Sequence, residues 1–317
     1  MEAVRRNPEF FSLAVLSCLL TLLPILAPAW GLFLAIFAPF PLIVLGLKYP
    51  WPSVLGVLGT ELGVGLLLGG PSVLLLANHY VVVPLVMAGA LRRGYSMSQT
   101  VGLSVGVPLI LSVILLALYS MVAQQSPRVL LIQYVEEMLQ IFKEQVQTSG
   151  YAAGVSQDQL AILGQTLSQF LLMLLPAMTV INHLLTNVVN YILVRHYCRY
   201  GRSPLALDPA ALTLWRASDY LVWIFLASGV GLLLPVGAIH QLSLSVFLLT
   251  LVVYFLQGVA IAAFWGQRLP LTPRVRWFLA LLILLFVGLP FMVLCTAAGL
   301  FDLWVDFRRQ RRPPSVS

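Results

Sequence analysis

Membrane-length apolar runs separated by short, mostly basic connections make up most of this chain. Runs at residues 10–26, 30–47, 52–69, 72–91, 100–122, 170–200, 221–236, 242–265 and 277–300 approach or exceed the roughly 20 residues a helix needs to cross a bilayer core. None shows the alternation over about ten positions that marks an outer-membrane strand. The pattern predicts an all-α fold, a polytopic transmembrane helical bundle of about eight to ten membrane segments. N-terminal spans over 1–123, an amphipathic segment over 124–158, C-terminal spans over 159–307 and a basic tail at 308–317 are expected.

The segment at 124–158 is the one long polar stretch. Leu131, Tyr134, Val135, Met138, Phe142 and Val146 fall near one helical face, opposite Glu136, Glu137, Lys143 and Glu144. This predicts an amphipathic extracytoplasmic helix that either lies on the membrane or caps the bundle, and its acidic face favours capping. Prolines and glycines punctuate the runs. Pro39 and Pro41 break the 30–47 run, the turn Gly69-Gly70-Pro71 leads into 72–91, Gly150 and Gly154 form a hinge, and Gly288-Leu289-Pro290 interrupts the last run. Gly59 with Gly63, Gly65 with Gly69 and Gly102 with Gly106 have the spacing that lets helices approach closely, with packing inside the chain expected ahead of oligomerisation.

Composition removes alternatives. With 60% hydrophobic and 9% charged residues, the chain is an integral membrane protein, since soluble domains carry about 25% charged residues. The net charge of +7 comes from basic residues in the connections, where they set topology, so no nucleic-acid partner is expected. Cys18, Cys198 and Cys295 lie far apart with no CxxC pair and read as free thiols with a packing role. Arg5 and Arg6, the first apolar run and Ala27-Pro28-Ala29 imitate a secretory signal peptide, but the spans that follow favour a retained helix. A multi-pass membrane location follows. With an inside N-terminus, the inside loops hold twelve basic residues against two outside, Arg128 and Lys143. The last four, Arg308, Arg309, Arg311 and Arg312, join the inside set only if the final run turns back near Pro290, and the positive-inside rule favours that turn.

Against this background the polar residues inside apolar runs are conspicuous. His183, Asn187 and Asn190 are spaced i, i+4 and i+7, on one face of a helix that also carries Asn182. Glu61 lies near the middle of a glycine-rich run, and Asn78-His79-Tyr80 sits inside another that also holds Pro84. Polar groups at such depth face protein or a water-filled cavity, and their convergence builds substrate, proton or ion sites. Glu61, Asn78, His79, His183, Asn187 and Asn190 are therefore the candidate substrate-binding residues. The competing expectations are that the histidine and asparagines only glue helices together, each bond contributing about 0.6 to 2 kcal/mol, and that Glu61 is protonated or snorkels. Asp219 is expected to pair with Arg216 at the surface.

No HExxH, no GxSxG with partner acid and histidine, no P-loop and no magnesium-binding acid cluster occurs, so neither an enzyme nor a cofactor nor a metal site is expected. ATP-driven uptake would need a separate subunit.

The stretch WRASDYLVWIFLASG at 215–229, VYFLQGVAIAAF at 253–264, GLFDLWVDFRR at 299–309 and the helix LLPAMTVINHLLTNVVNYILVRHY resemble the YybS-like family of bacterial membrane proteins, a domain family of unknown function. That family is distantly similar to the substrate-binding components of energy-coupling-factor vitamin transporters, small helical proteins that bind a vitamin or metal and dock on a shared ATP-driven module. The resemblance implies a transporter, or the substrate-binding membrane component of one, with the lipid bilayer, a small-molecule ligand and ATPase or transmembrane coupling subunits as partners. A membrane scaffold that assembles a complex without transporting is the expectation from another class; an intramembrane enzyme would need a reacting group that the sequence does not offer.

Overall fold

The computed structural model describes residues 7–27, 31, 34–69, 78–148, 157–200, 212–272, 275, 276, 278 and 288–308. Among them every regular element is helical. The α-helices are α1 (Pro8–Leu26), α2 (Pro39–Lys48), α3 (Trp51–Gly69), α4 (Val83–Arg92), α5 (Met97–Ala123), α6 (Pro127–Thr148), α7 (Gln157–Tyr200), α8 (Leu221–Gly231), α9 (Gly237–Gly266) and α10 (Gly288–Val305). A 3-10 turn at Ala35–Phe37 precedes α2, and a π turn at Asn78–Val82 precedes α4. Five stretches among the described residues are long and apolar enough to cross a membrane: Trp51–Leu68, Met97–Ala123, Gly164–Arg199, Gly237–Gly266 and Gly288–Val305. Pro8–Pro24, Ala35–Lys48 and Leu221–Gly231 are shorter apolar helices. The turn at Gly70 and Pro71, the hinge at Gly150 and Gly154, the first part of the last apolar run, and Arg5, Arg6, Arg309, Arg311 and Arg312 lie outside the described residues.

The chain divides into two compact units, Met1–Leu172 with Asn182–Leu207, and Met173–Ile181 with Asp208–Ser317. In the first, α2 is the centre. Leu42, Ile43, Val44 and Leu45 are consecutive in sequence and all fully buried, as in a helix that is apolar all round. Its neighbours are α1, α3 and α4, and Gly46 lies so close to Ala88 of α4 that an added Cβ would stand 2.7 Å from the alanine methyl. Local signals set the helix starts. The Asn7 side chain accepts from the Glu9 amide with Pro8 at the first helical position, and Ser96 and Gln99 form a capping box at the start of α5. At one end of this unit Lys48 donates to Glu9 at 2.5 Å and to the Tyr197 hydroxyl at 2.9 Å, and that hydroxyl donates to Glu9. These bonds tie α1, α2 and α7 together.

The amphipathic α6 buries Val135 and Leu139 and exposes Glu136 and Glu137. Tyr134, expected on its apolar face, is instead exposed, because it lies a third of a turn away from the Val135–Leu139 line. A second departure concerns the glycines. Among the described residues nothing lies within 4 Å of where a Cβ would stand on Gly56, Gly59, Gly63, Gly102 and Gly106, so the pairs Gly59–Gly63 and Gly102–Gly106 make no close approach there. Close approach occurs at Gly258 of α9 and Gly299 of α10, where an added Cβ would meet the Cys295 carbonyl oxygen at 1.8 Å and the Tyr254 carbonyl oxygen at 2.0 Å.

This crossing sits beside a polar clamp in the second unit. Asp302 and Arg308 form a salt bridge of 2.8 Å with both side chains buried. The Gln257 amide donates to Asp302 at 3.0 Å and accepts from the Ala217 backbone amide at 3.1 Å. Arg308 also donates to the carbonyls of Thr213 and Trp215. A left-handed backbone at Asp306, φ 46°, turns the chain back after α10 so that this reach is available. The exit of α10 therefore lies at the same end of this unit as the entry to α8, placing Arg308 beside Arg216, which itself pairs with exposed Asp219 at 3.4 Å.

Two stability outcomes follow. Gly258→Ala or Gly299→Ala, which push a methyl into helix backbone, should lower stability by about 1–3 kcal/mol, whereas Gly59→Ala should not destabilise. Asp302→Ala, which strands a buried guanidinium, should cost about 3–5 kcal/mol. Thermal unfolding of the detergent-solubilised chain reads both, and equal effects at Gly258 and Gly59 would contradict the crossing.

Candidate functional site

Prolines create the demand that the candidate residues meet. Pro108 inside α5 has no N–H, so the Ser104 carbonyl one turn earlier loses its helical donor. In an apolar surrounding that carbonyl needs another. The Asn187 amide nitrogen supplies it at 3.3 Å while also donating to the His183 carbonyl at 2.7 Å. One turn along α5, the Asn78 amide nitrogen donates to the Pro108 carbonyl at 2.8 Å and to the Ser112 hydroxyl at 2.5 Å. Asn190 donates to the carbonyls of Ile36 and Thr186, each at 2.7 Å. Ile36 lies in the 3-10 turn whose i+3 donor position is Pro39, again a residue without N–H.

The face of α7 that sequence spacing singles out is thus turned inward. His183, Thr186, Asn187 and Asn190 are buried, while Asn182 points outward. Opposite them the π turn presents Asn78 and His79. A π turn adds a residue to the helical repeat, and here it ends two residues before Pro84, which cannot donate to the Tyr80 carbonyl. The two imidazoles meet with Nδ1 to Nδ1 at 3.4 Å and ring centroids 5.0 Å apart. Asn78, His79, His183 and Asn187 therefore form one cluster, with Asn190 farther along α7.

Two atoms of the cluster's asparagines have no partner. The nitrogens face carbonyls or a hydroxyl, which fixes the amide orientation and leaves the oxygens turned away. Asn78 Oδ1 and Asn187 Oδ1 are both buried without a hydrogen bond, as are Asn190 Oδ1 and Ser104 Oγ. Among the described residues no third histidine, cysteine or carboxylate joins the histidine pair.

Glu61 stands elsewhere. It is 3% exposed on α3, with Ser17 and Cys18 of α1 beside its carboxyl group. Neither carboxyl oxygen reaches hydrogen-bond geometry with them, and Ser17 Oγ is also unpartnered. The polar groups that bear on its carboxyl are these two residues of α1. Ser104, Pro108 and Ser112 lie in the 100–122 run, where spacing in the sequence singles out only the glycine pair. Their signal was a proline within a span flanked by serines at i−4 and i+4.

The chain matches the predicted membrane protein family DUF2232 over residues 15–303 and belongs to it. No curated protein and no solved structure matches the chain.

If Asn187 substitutes for the donor that Pro108 lacks, the two residues are coupled. Asn187→Leu should cost about 1–3 kcal/mol in the native background and distinctly less with Pro108→Ala, which restores an N–H to the Ser104 carbonyl. A double-mutant cycle by thermal unfolding measures this, and an equal cost in both backgrounds would refute the assignment.

Proposed function

We propose that this DUF2232 member is a transport protein, or the substrate-binding membrane component of an ATP-driven transporter, and that the cluster of Asn78, His79, His183 and Asn187 is its small-molecule site. One observation carries the reading: buried amide oxygens with no partner stand on the residues next to a histidine pair between helices. Buried acceptors in native proteins are nearly always partnered by protein, ordered water or ligand. Helix glue alone does not account for acceptors left over on two of the four residues.

In this proposal the bundle has eight to ten membrane segments, counting the short apolar helices and the parts of the final run. It resides in the bacterial inner membrane, as the YybS-like resemblance implies. Energy-coupling-factor similarity supplies the subtype, a binding subunit docked on an ATPase module. Asn190, joined to the 3-10 turn through Ile36, holds α7 in place and carries a partnerless oxygen of its own at the edge of the site. Glu61 is a separate group between α1 and α3, outside the ligand site.

The scaffold reading is favoured by a different observation. Every asparagine nitrogen in the cluster is fully used on backbone or hydroxyl partners, as glue requires.

Cysteine accessibility separates the two. With Cys18, Cys198 and Cys295 replaced by alanine, His79→Cys or His183→Cys in native membranes should react with a water-soluble thiosulfonate, because a substrate site is water-connected on at least one side. A scaffold with a dry, packed interior leaves both cysteines unreactive, and that result would sink the transport reading.

A further inference from the structure

The acid at Glu61 has no opposite charge to meet it. It lies near the middle of the Trp51–Leu68 span and is 3% exposed. Among the described residues it makes no ion pair, and neither carboxyl oxygen has a hydrogen bond. A lone carboxylate so placed is costly enough that the group takes up a proton instead. Helix α3 packs chiefly on α1 and α2. Their titratable groups are Glu9 and Cys18 on α1 and Lys48 on α2. Glu9 and Lys48 bond each other at the end of the unit, and Glu9 is about 12 Å along α1 from Ser17. Of the three, the Cys18 thiol stands beside Glu61.

The hydroxyls of α1 depart from the habit of the other helices. Ser12, Thr60, Thr179 and Thr296 donate to the carbonyl four residues back, at 2.8–3.0 Å, as hydroxyls in helices do. Ser17, fully buried next to Glu61, makes no such bond, and neither does Thr21 one turn further along the same face. Both hydroxyl oxygens are buried without a partner. The Ser17 hydroxyl is thus uncommitted where an uncompensated carboxyl group lies beside it.

We propose that Glu61 is an exchangeable proton-binding site and that the Ser17 hydroxyl serves both of its charge states. With the proton on, the carboxyl O–H donates to Ser17 Oγ. With the proton gone, the hydroxyl rotates and donates to the carboxylate, because a hydroxyl both donates and accepts. The Cys18 thiol is a second, weaker donor to the ionised form. A proton suits this place better than a metal cation. The two carboxyl oxygens with the hydroxyls of Ser17 and Thr21 fall short of the roughly six to eight oxygens a hard dication takes. An acid that loads and unloads a proton half-way through a span is the means by which a membrane protein couples to a proton gradient. The proposal goes beyond the transport reading and does not rest on it, since Glu61 belongs to α3 and α1 and the histidine pair to the π turn and α7.

The test treats native membranes containing the full chain with dicyclohexylcarbodiimide, an apolar reagent that modifies protonated carboxyl groups, and reads the adduct by mass spectrometry of the peptide carrying Glu61. Glu61 should be modified, while Glu136 and Glu137, exposed to water on α6, should not. Modification should fall at least tenfold between about pH 6 and about pH 9 as the proton leaves. Ser17→Ala removes the donor to the ionised form, so in that variant modification should persist to higher pH; a hydroxyl that only fills space would leave the profile where it was. No modification of Glu61 at any pH, equal modification at every pH, or a profile unmoved by Ser17→Ala overturns the proposal. Protection by NaCl at fixed pH also overturns it, because the ligand would then be sodium. None of these outcomes touches the thiosulfonate reaction at positions 79 and 183, so the two readings fail separately.

Discussion

A carbonyl without a donor, held where water does not reach, is the constraint around which the first unit is arranged. Prolines inside or beside apolar helices create such carbonyls, and lipid offers them nothing. Pro108 frees Ser104, and Pro39 stands where the donor to Ile36 would be. Each is answered by a side-chain amide from α7, and a third amide, Asn78, fastens the next turn of α5. Short helices such as α2 and α4 contribute apolar packing, but the register of α7 against α5 and the 3-10 turn is set by these directed bonds.

That arrangement divides each asparagine into two halves with different work. The nitrogen is committed to structure, and the oxygen is left over in the interior. The same residue can therefore be indispensable to folding and still face a ligand, which makes a substitution at Asn187 a poor discriminator by itself. Histidine differs. Neither imidazole of the pair donates to a backbone group through Nδ1; each meets only the other ring there. The pair is where structure is least needed as an explanation.

Much of this could be read in advance. The helical class, the positions of α3, α5, α7 and α9, and the inward turn of His183, Asn187 and Asn190 follow from apolar length and from the i, i+4, i+7 spacing, which are local properties. The pairing of elements was not local. Glu61 and His183 lie at similar depth by counting residues, but depth along a helix says nothing of which neighbour it faces, and Glu61 turns to α1. Glycine spacing is limited for the same reason: the motif allows close approach, and among the described residues no helix arrives at Gly59–Gly63 or Gly102–Gly106. Gly258 and Gly299, in separate runs, form no GxxxG pair, and Gly258 has only Ala262 at that spacing. Arg308 falls in the basic tail by sequence, and the return of the chain at Asp306 accompanies its burial against Asp302.

The Arg308 clamp also bears on the order of events during synthesis. Its guanidinium reaches Thr213, Trp215 and Asp302, all of which are translated before it. Until Arg308 emerges, Asp302 is an acid at the end of an apolar helix with no cation to neutralise it, and the segment entering α8 has two carbonyls still unclaimed. The unit can insert its helices one after another, yet its polar seam closes only from the far end of the chain. A ribosome that stalls or a message cut just upstream of this residue would release a protein with every span of the unit present and its fastening missing, the kind of product that quality-control proteases in a membrane are placed to remove.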